Sequence, residues 1–162
     1  MESKEDIRST VVRLLERAET LIPDSIVPNR GPMDRFPDVP EWHDFEHKIW
    51  KIGEEIRQAM NAMPKLRADS DLQERILRIA KNRRAKRGRQ SFIMLLAYKP
   101  CMPVASDLVS ELQDSFVDGH VIYAWRKMQD PSHVKEVAPF LSAPKKWVKD
   151  EAKKYIAKYG KA

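Results

Sequence analysis

The chain has 162 residues, long enough to bury roughly 70% of the surface that its unfolded form would expose, so folding needs neither disulfides nor a structural metal. It is 42% hydrophobic and 33% charged, with a net charge of +6 and one cysteine, Cys101; that single thiol excludes a disulfide framework and a cysteine-type zinc site. The longest apolar run, residues 92–98, falls far short of the ~20 residues that a membrane-spanning helix needs, so no membrane association is expected.

Only five glycines, with many Leu, Ala, Lys, Arg and Glu, favour helices, because straight-chain residues lose little rotamer freedom there. An all-α single domain over residues 1–162 is expected. Glu2-Ser3-Lys4-Glu5-Asp6 has no apolar signal core, which together with the lone thiol points to a reducing, cytoplasmic setting. Residues 4–22 place Ile7, Val11, Leu14, Ala18 and Leu21 at helical spacing, with Ser3 as N-cap and Pro23 as terminator. Five prolines between residues 22 and 40 predict a long irregular loop. Trp42, Phe45, Ile49, Ile52, Ile56, Ala59 and Met63 then predict a second helix, opened by Pro40-Glu41. Residues 1–64 are read as an antiparallel helix pair joined by that loop.

Shorter helices follow. Ser70 is expected to cap one carrying Leu72, Ile76, Ile79 and Ala80, with a break near Gly88 and a helix over 91–98. Pro100 and Pro103 precede a helix with Val104, Leu108, Val109 and Leu112. Asp118-Gly119 opens the next, Asp130-Pro131-Ser132 another, which Pro139 should kink, and Ala143-Pro144 precedes the last. Residues 65–162 therefore read as three helix pairs.

Charge is unevenly spread: residues 65–89 hold ten basic and three acidic side chains, whereas residues 1–64 hold nine and thirteen. Arg75, Arg78, Arg83, Arg84, Lys86, Arg87 and Arg89, with Lys81, lie at a helix end and the turn beyond it. A few cations there suit the helix dipole, but so many suggest a surface for phosphates or an acidic protein.

The chain also repeats. Shifting it by 28 residues lays His120, Ala124 and Met128 on Val148, Ala152 and Ile156; shifting it by 29 lays Ala105, Leu108 and Leu112 on Val134, Val137 and Leu141. With the run Val117 to Trp125, the Asp130-Pro131 turn and Val137 to Leu141, this resembles the short-repeat variants of the HEAT-repeat family. The likeness is good over 104–160, fair over 70–103 and absent before 65. It implies a right-handed α-solenoid of three HEAT-like helix pairs in residues 65–162, capped by the N-terminal pair. It also implies a concave wall carrying Tyr123, Trp125, Arg126, Lys149 and Lys153, of which Trp125 is read as packing between repeats and Tyr123, Arg126 and Lys149 as the surface candidates. Some DNA glycosylases are similar in layout, but their catalytic Asp and stacking Trp have no matching positions here, and only the electrostatics carries over. Relatives that attach or detach bilin pigments share the scaffold, and no residue here can be assigned to their chemistry.

His43-x-x-Glu46-His47 has the spacing of inverted zinc proteases, yet it flanks an apolar stripe and lacks an evident third ligand, so no metal is expected. Cys101 is read as packing. No Gly-rich phosphate loop, nucleophile elbow or apolar pair of carboxylates is present. The expectation is a non-catalytic interaction module without a cofactor. Another protein is its first expected partner, and nucleic acid bound by the 75–89 stretch is the alternative.

Overall fold

The computed structural model describes residues 2–161. Apart from an isolated antiparallel bridge between Pro32 and Pro40, all regular structure among them is helical. Helix α1 (Lys4–Leu21) opens with the expected cap: the Ser3 hydroxyl accepts from Asp6 N and the Asp6 carboxylate from Ser3 N. Its stripe of Ile7, Val11, Leu15 and Ala18 is buried as α1 packs along α2 (Asp44–Ala62), which buries Ile49, Ile52, Ile56 and Met60.

Helix α2 starts four residues later than Pro40-Glu41 suggested. The backbone there is committed to the loop, with Pro40 bridged to Pro32 and Glu41 N donating to Gly31 O. His43 becomes the N-cap residue, and the Glu46 carboxylate turns back to accept from His43 N at 2.7 Å.

A 3₁₀ turn over Pro64–Ala68 leads into α3 (Ser70–Ala80). Its cap is Asp69 rather than Ser70: Asp69 accepts from Leu72 N and from Arg8 of α1 at 2.8 Å, which ties the two helices together. Beyond a 3₁₀ stretch, Arg83–Arg89, lies α4 (Gln90–Leu95), packed against α2 and α3. Phe92, Ile93 and Leu95 of α4 are all buried, which explains why this segment is more apolar than its neighbours: it is the centre of the molecule.

Residues Lys99–Gln113 bury the expected Val104, Leu108 and Leu112, but as successive 3₁₀ turns. Pro100 and Pro103 remove two backbone donors from the opening of this run. Helices α5 (Asp118–Met128) and α7 (Lys146–Tyr159) match the expected segments. Between them α6 (Val134–Val137) gives way at Ala138–Ser142 to 3₁₀ geometry, where Pro139 was expected to disturb the helix.

The Asp130-Pro131 turn is a knot of buried polar groups. The Tyr155 hydroxyl donates to Asp130 O and accepts from His133 N, and His133 Nε2 lies 2.8 Å from the Asp130 carboxylate. The His133 ring stacks on Trp125 at 3.9 Å, and Trp125 Nε1 donates to Ala105 O. Buried apolar residues from Ile7 to Tyr155 form one contiguous core.

Helix α2 and the 83–89 stretch approach closely, and a Cβ on Gly88 would stand 2.9 Å from both Glu46 O and Ile49 Cβ. Neither atom can swing away, so Gly88→Ala should destabilise the fold by about 1–3 kcal/mol. Denaturant titration should show a lower midpoint with an unchanged slope; an unchanged midpoint would contradict this packing.

Candidate binding groove

The structure sends much of the basic stretch inward. Arg89 is fully buried: Nη1 donates to Ala80 O at 2.9 Å and to Glu111 at 2.6 Å, and Nη2 to Asp114 at 2.5 Å. Arg87 lies between the rings of Trp42 and Phe116, each 4.9 Å away. It donates to Glu46 and to the carbonyls of Pro40 and Glu41. Lys86 reaches Asn29 Oδ1 at 2.7 Å and Arg84 reaches Asp24 O at 3.0 Å. These side chains strap the proline-rich loop to the body of the protein.

Of the rest, Arg83 is exposed but donates to Ser110 O, with Nε 3.6 Å from Glu111, and half-buried Arg75 lies 3.8 Å from Glu16. Arg78 is exposed. Burial alone would push the Glu111 carboxyl up, but hydrogen bonds from Ser110 and Arg89 and the charges of Arg89 and Arg83 hold it below its ordinary value.

A depression of about 680 Å³ lies elsewhere, lined by residues of α2, α4 and α5. Trp50, Glu54 and Arg57 of α2 form one wall, and Gln90, Ser91 and Met94 of α4 contribute to its lining. Tyr98 and Lys99 also line it, as do His120, Tyr123 and Lys127 of α5. Lys127 also lines a second depression of about 570 Å³ with Arg126, Lys154 and Lys158. Gln90 and His120 also line a third, of about 320 Å³, with Trp42, Phe116 and Trp147. The shared residues make the three depressions adjoin.

Charge along this track is predominantly positive. Its carboxylate Glu54 is held by Arg57 at 2.9 Å, and Arg126 and Lys154 hold Glu151 beneath the second depression. Lys99, Lys127, Lys145 and Lys158 make no ion pair among the described residues. Aromatic surface is interleaved with these cations: Trp50 is 38% and Trp147 45% exposed, and Lys127 Nζ lies 5.6 Å from the centre of the Tyr123 ring.

His120 sits where two of the depressions meet, edge-on to Trp147 at 5.0 Å, with its Nδ1 buried and unpartnered. Burial, with the charges of Lys145 and Arg89, pushes its imidazole down to about 4, so it is neutral at pH 7.

Of the residues singled out in the sequence, the structure brings Tyr123 and Arg126 to this track. Lys149 is half-buried on α7 and lines none of the three depressions. Sequence reasoning missed Trp50, Arg57, Tyr98, Lys99, His120 and Lys127. One signal was legible: Trp50, Glu54 and Arg57 are spaced by four and three on a face that Ile49, Ile52 and Ile56 leave outside the core.

The His43, Glu46, His47 triplet is engaged in the fold: Glu46 is buried against Arg87 and His47 stacks on Trp42. No group of three or more His, Cys, Asp or Glu able to hold a metal gathers among the described residues, and no described helix is long and apolar enough to cross a membrane. Burial pushes the Cys101 thiol up to about 11. Comparisons with family models, curated proteins and solved structures find no match to this chain.

Two outcomes follow from these placements. Arg89→Met leaves Glu111 and Asp114 without their guanidinium and should destabilise the protein by about 3–5 kcal/mol, whereas exposed Arg78→Glu should change stability by less than ~0.5 kcal/mol. Equal effects in denaturant titrations would deny the inward role. His120 binds its proton near 6.5 when unfolded but near 4 when folded, so stability should fall as pH drops through that interval, by on the order of 3 kcal/mol. In His120→Phe that portion of the pH dependence of Tm should flatten; a slope equal to that of the parent would refute it.

Proposed function

We propose that this chain is a non-catalytic interaction module, a short helical scaffold that holds an extended, electropositive groove for a macromolecular partner. The observation that carries this reading is the run of three adjoining depressions. Unpaired lysines line it beside exposed aromatic rings, the residue types that contribute most to docking when a partner desolvates them.

The scaffold in this reading is a short right-handed solenoid of HEAT-like pairs with α1 and α2 as its cap. The 28- and 29-residue self-similarity supports it, as does the packing of α5 against both the 99–113 run and α7. The docking face is the groove rather than the 75–89 stretch, because Arg87 and Arg89 face acidic partners inside the protein.

Replacing Trp50 with a photo-crosslinking residue in the producing cell tests the reading, with the same residue at exposed Arg13 of α1 as the control. Illumination should give a discrete adduct from position 50 and none from position 13. No adduct at position 50, or the same adducts at both, would end the proposal.

A further inference from the structure

The groove's chemistry narrows its occupant, and we infer that the groove takes a single-stranded nucleic acid, with bases laid on the aromatic rings and phosphates facing the lysines. This inference rests on the docking reading above and names the partner class for that same groove. Three features carry it.

The first is form. Depressions of about 320 and 680 Å³ share Gln90 and His120, and those of about 680 and 570 Å³ share Lys127; a chain of neighbouring depressions suits a strand more than a compact ligand.

The second is charge. Lys145, whose Nζ donates to Ser115 O at 2.6 Å, belongs to one depression, Lys99 to the next, Lys127 to two and Lys158 to the last, so cations without a salt bridge among the described residues recur in all three. Glu54 is neutralised by Arg57, and Asp38 stands at the far end. A polyanion running along such a track releases counterions at each contact.

The third is the aromatic surface. Trp147 and Trp50 line these depressions as exposed rings; Tyr123 lies half-buried near Arg126 and Lys127, and one face of Tyr98 is covered by the Arg67 guanidinium at 3.7 Å. An acidic peptide would satisfy the lysines but has no regular succession of flat faces to cover these rings, whereas every base has one. His120 fits this picture as a neutral ring between two of the depressions, adding no charge of its own at pH 7.

Duplexes are disfavoured by the same features, because paired bases cannot reach the rings. Sequence selectivity should be weak, since stacking tolerates any base.

The test is fluorescence anisotropy of labelled single-stranded DNA and RNA of about 12 nucleotides, titrated with the full chain over a range of salt concentrations, with a duplex and a poly-glutamate peptide as competitors. Single strands should bind more tightly than the duplex, and log affinity should fall against log salt by about 0.7 per phosphate contact. Trp50→Ala with Tyr123→Ala should weaken binding at least ~10-fold while leaving the salt slope unchanged. Lys127→Glu with Lys158→Glu should reduce the slope itself by roughly one to two units. Arg13→Glu on α1 should alter neither.

Tighter binding of the duplex, or affinity indifferent to the ring substitutions, overturns the inference. Binding of the acidic peptide alone, lost in the lysine variant, also overturns it but leaves the docking module standing with a protein partner. No oligonucleotide or peptide binding, with no adduct at position 50, removes both readings. Circular dichroism and thermal melts of each variant separate a lost contact from a lost fold.

Discussion

Two guanidinium groups inside the protein hold the remaining parts in place. Removing Arg87 and Arg89 from water costs several kcal/mol each unless their donors find acceptors, and the acceptors come from distant parts of the chain. Arg89 joins the end of α3 at Ala80 to Glu111 in the 99–113 run and to Asp114 beyond it. Arg87 joins the start of α2, through Glu46, to the loop carbonyls of Pro40 and Glu41. Glu46 in turn accepts from His43 N, so the carboxylate that begins α2 also neutralises the arginine that fastens the loop.

This arrangement determines what reaches the surface. With the cations of residues 84–89 turned toward the loop and the core, α4 is set as the lining of a groove between α2 and α5. The positive charge along the groove comes instead from Lys99, Lys127, Lys145 and Lys158, which form no salt bridge among the described residues. The loop contributes as well: strapped down by Arg84, Lys86 and Arg87, it carries Trp42 to the lining of the depression shared with Phe116 and Trp147.

Much of the helical order was legible because it depends on local periodicity. The stripes of α1 and α2 turn toward the core as their spacing required, with Leu15 rather than Leu14 fully buried in α1, and Ser3 caps as its chemistry suggested. The misplaced boundaries share one physical cause. The start of α2 moved because the backbone at residues 31, 40 and 41 bonds across the loop, and the cap of α3 moved to Asp69, which a distant arginine also engages. In both places a partner far away in sequence outweighed the local signal. The groove was half legible: Tyr123 and Arg126 were named, whereas His120 and Lys127 take on meaning only when α5 is laid beside α2.

A helical chain, its main amphipathic faces and the concentration of its basic residues were legible before any folding is considered. All three are properties of composition and short-range spacing. Tertiary structure alone decided which of those basic residues meet solvent and which meet a carboxylate. A guanidinium at position 78 and another at position 89 are the same group in sequence, but one ends exposed on α3 and the other between Ala80, Glu111 and Asp114 in the core. The difference arises from chain reversals that bring residues more than twenty apart within hydrogen-bonding distance, and no local pattern encodes the sign of the partner waiting there.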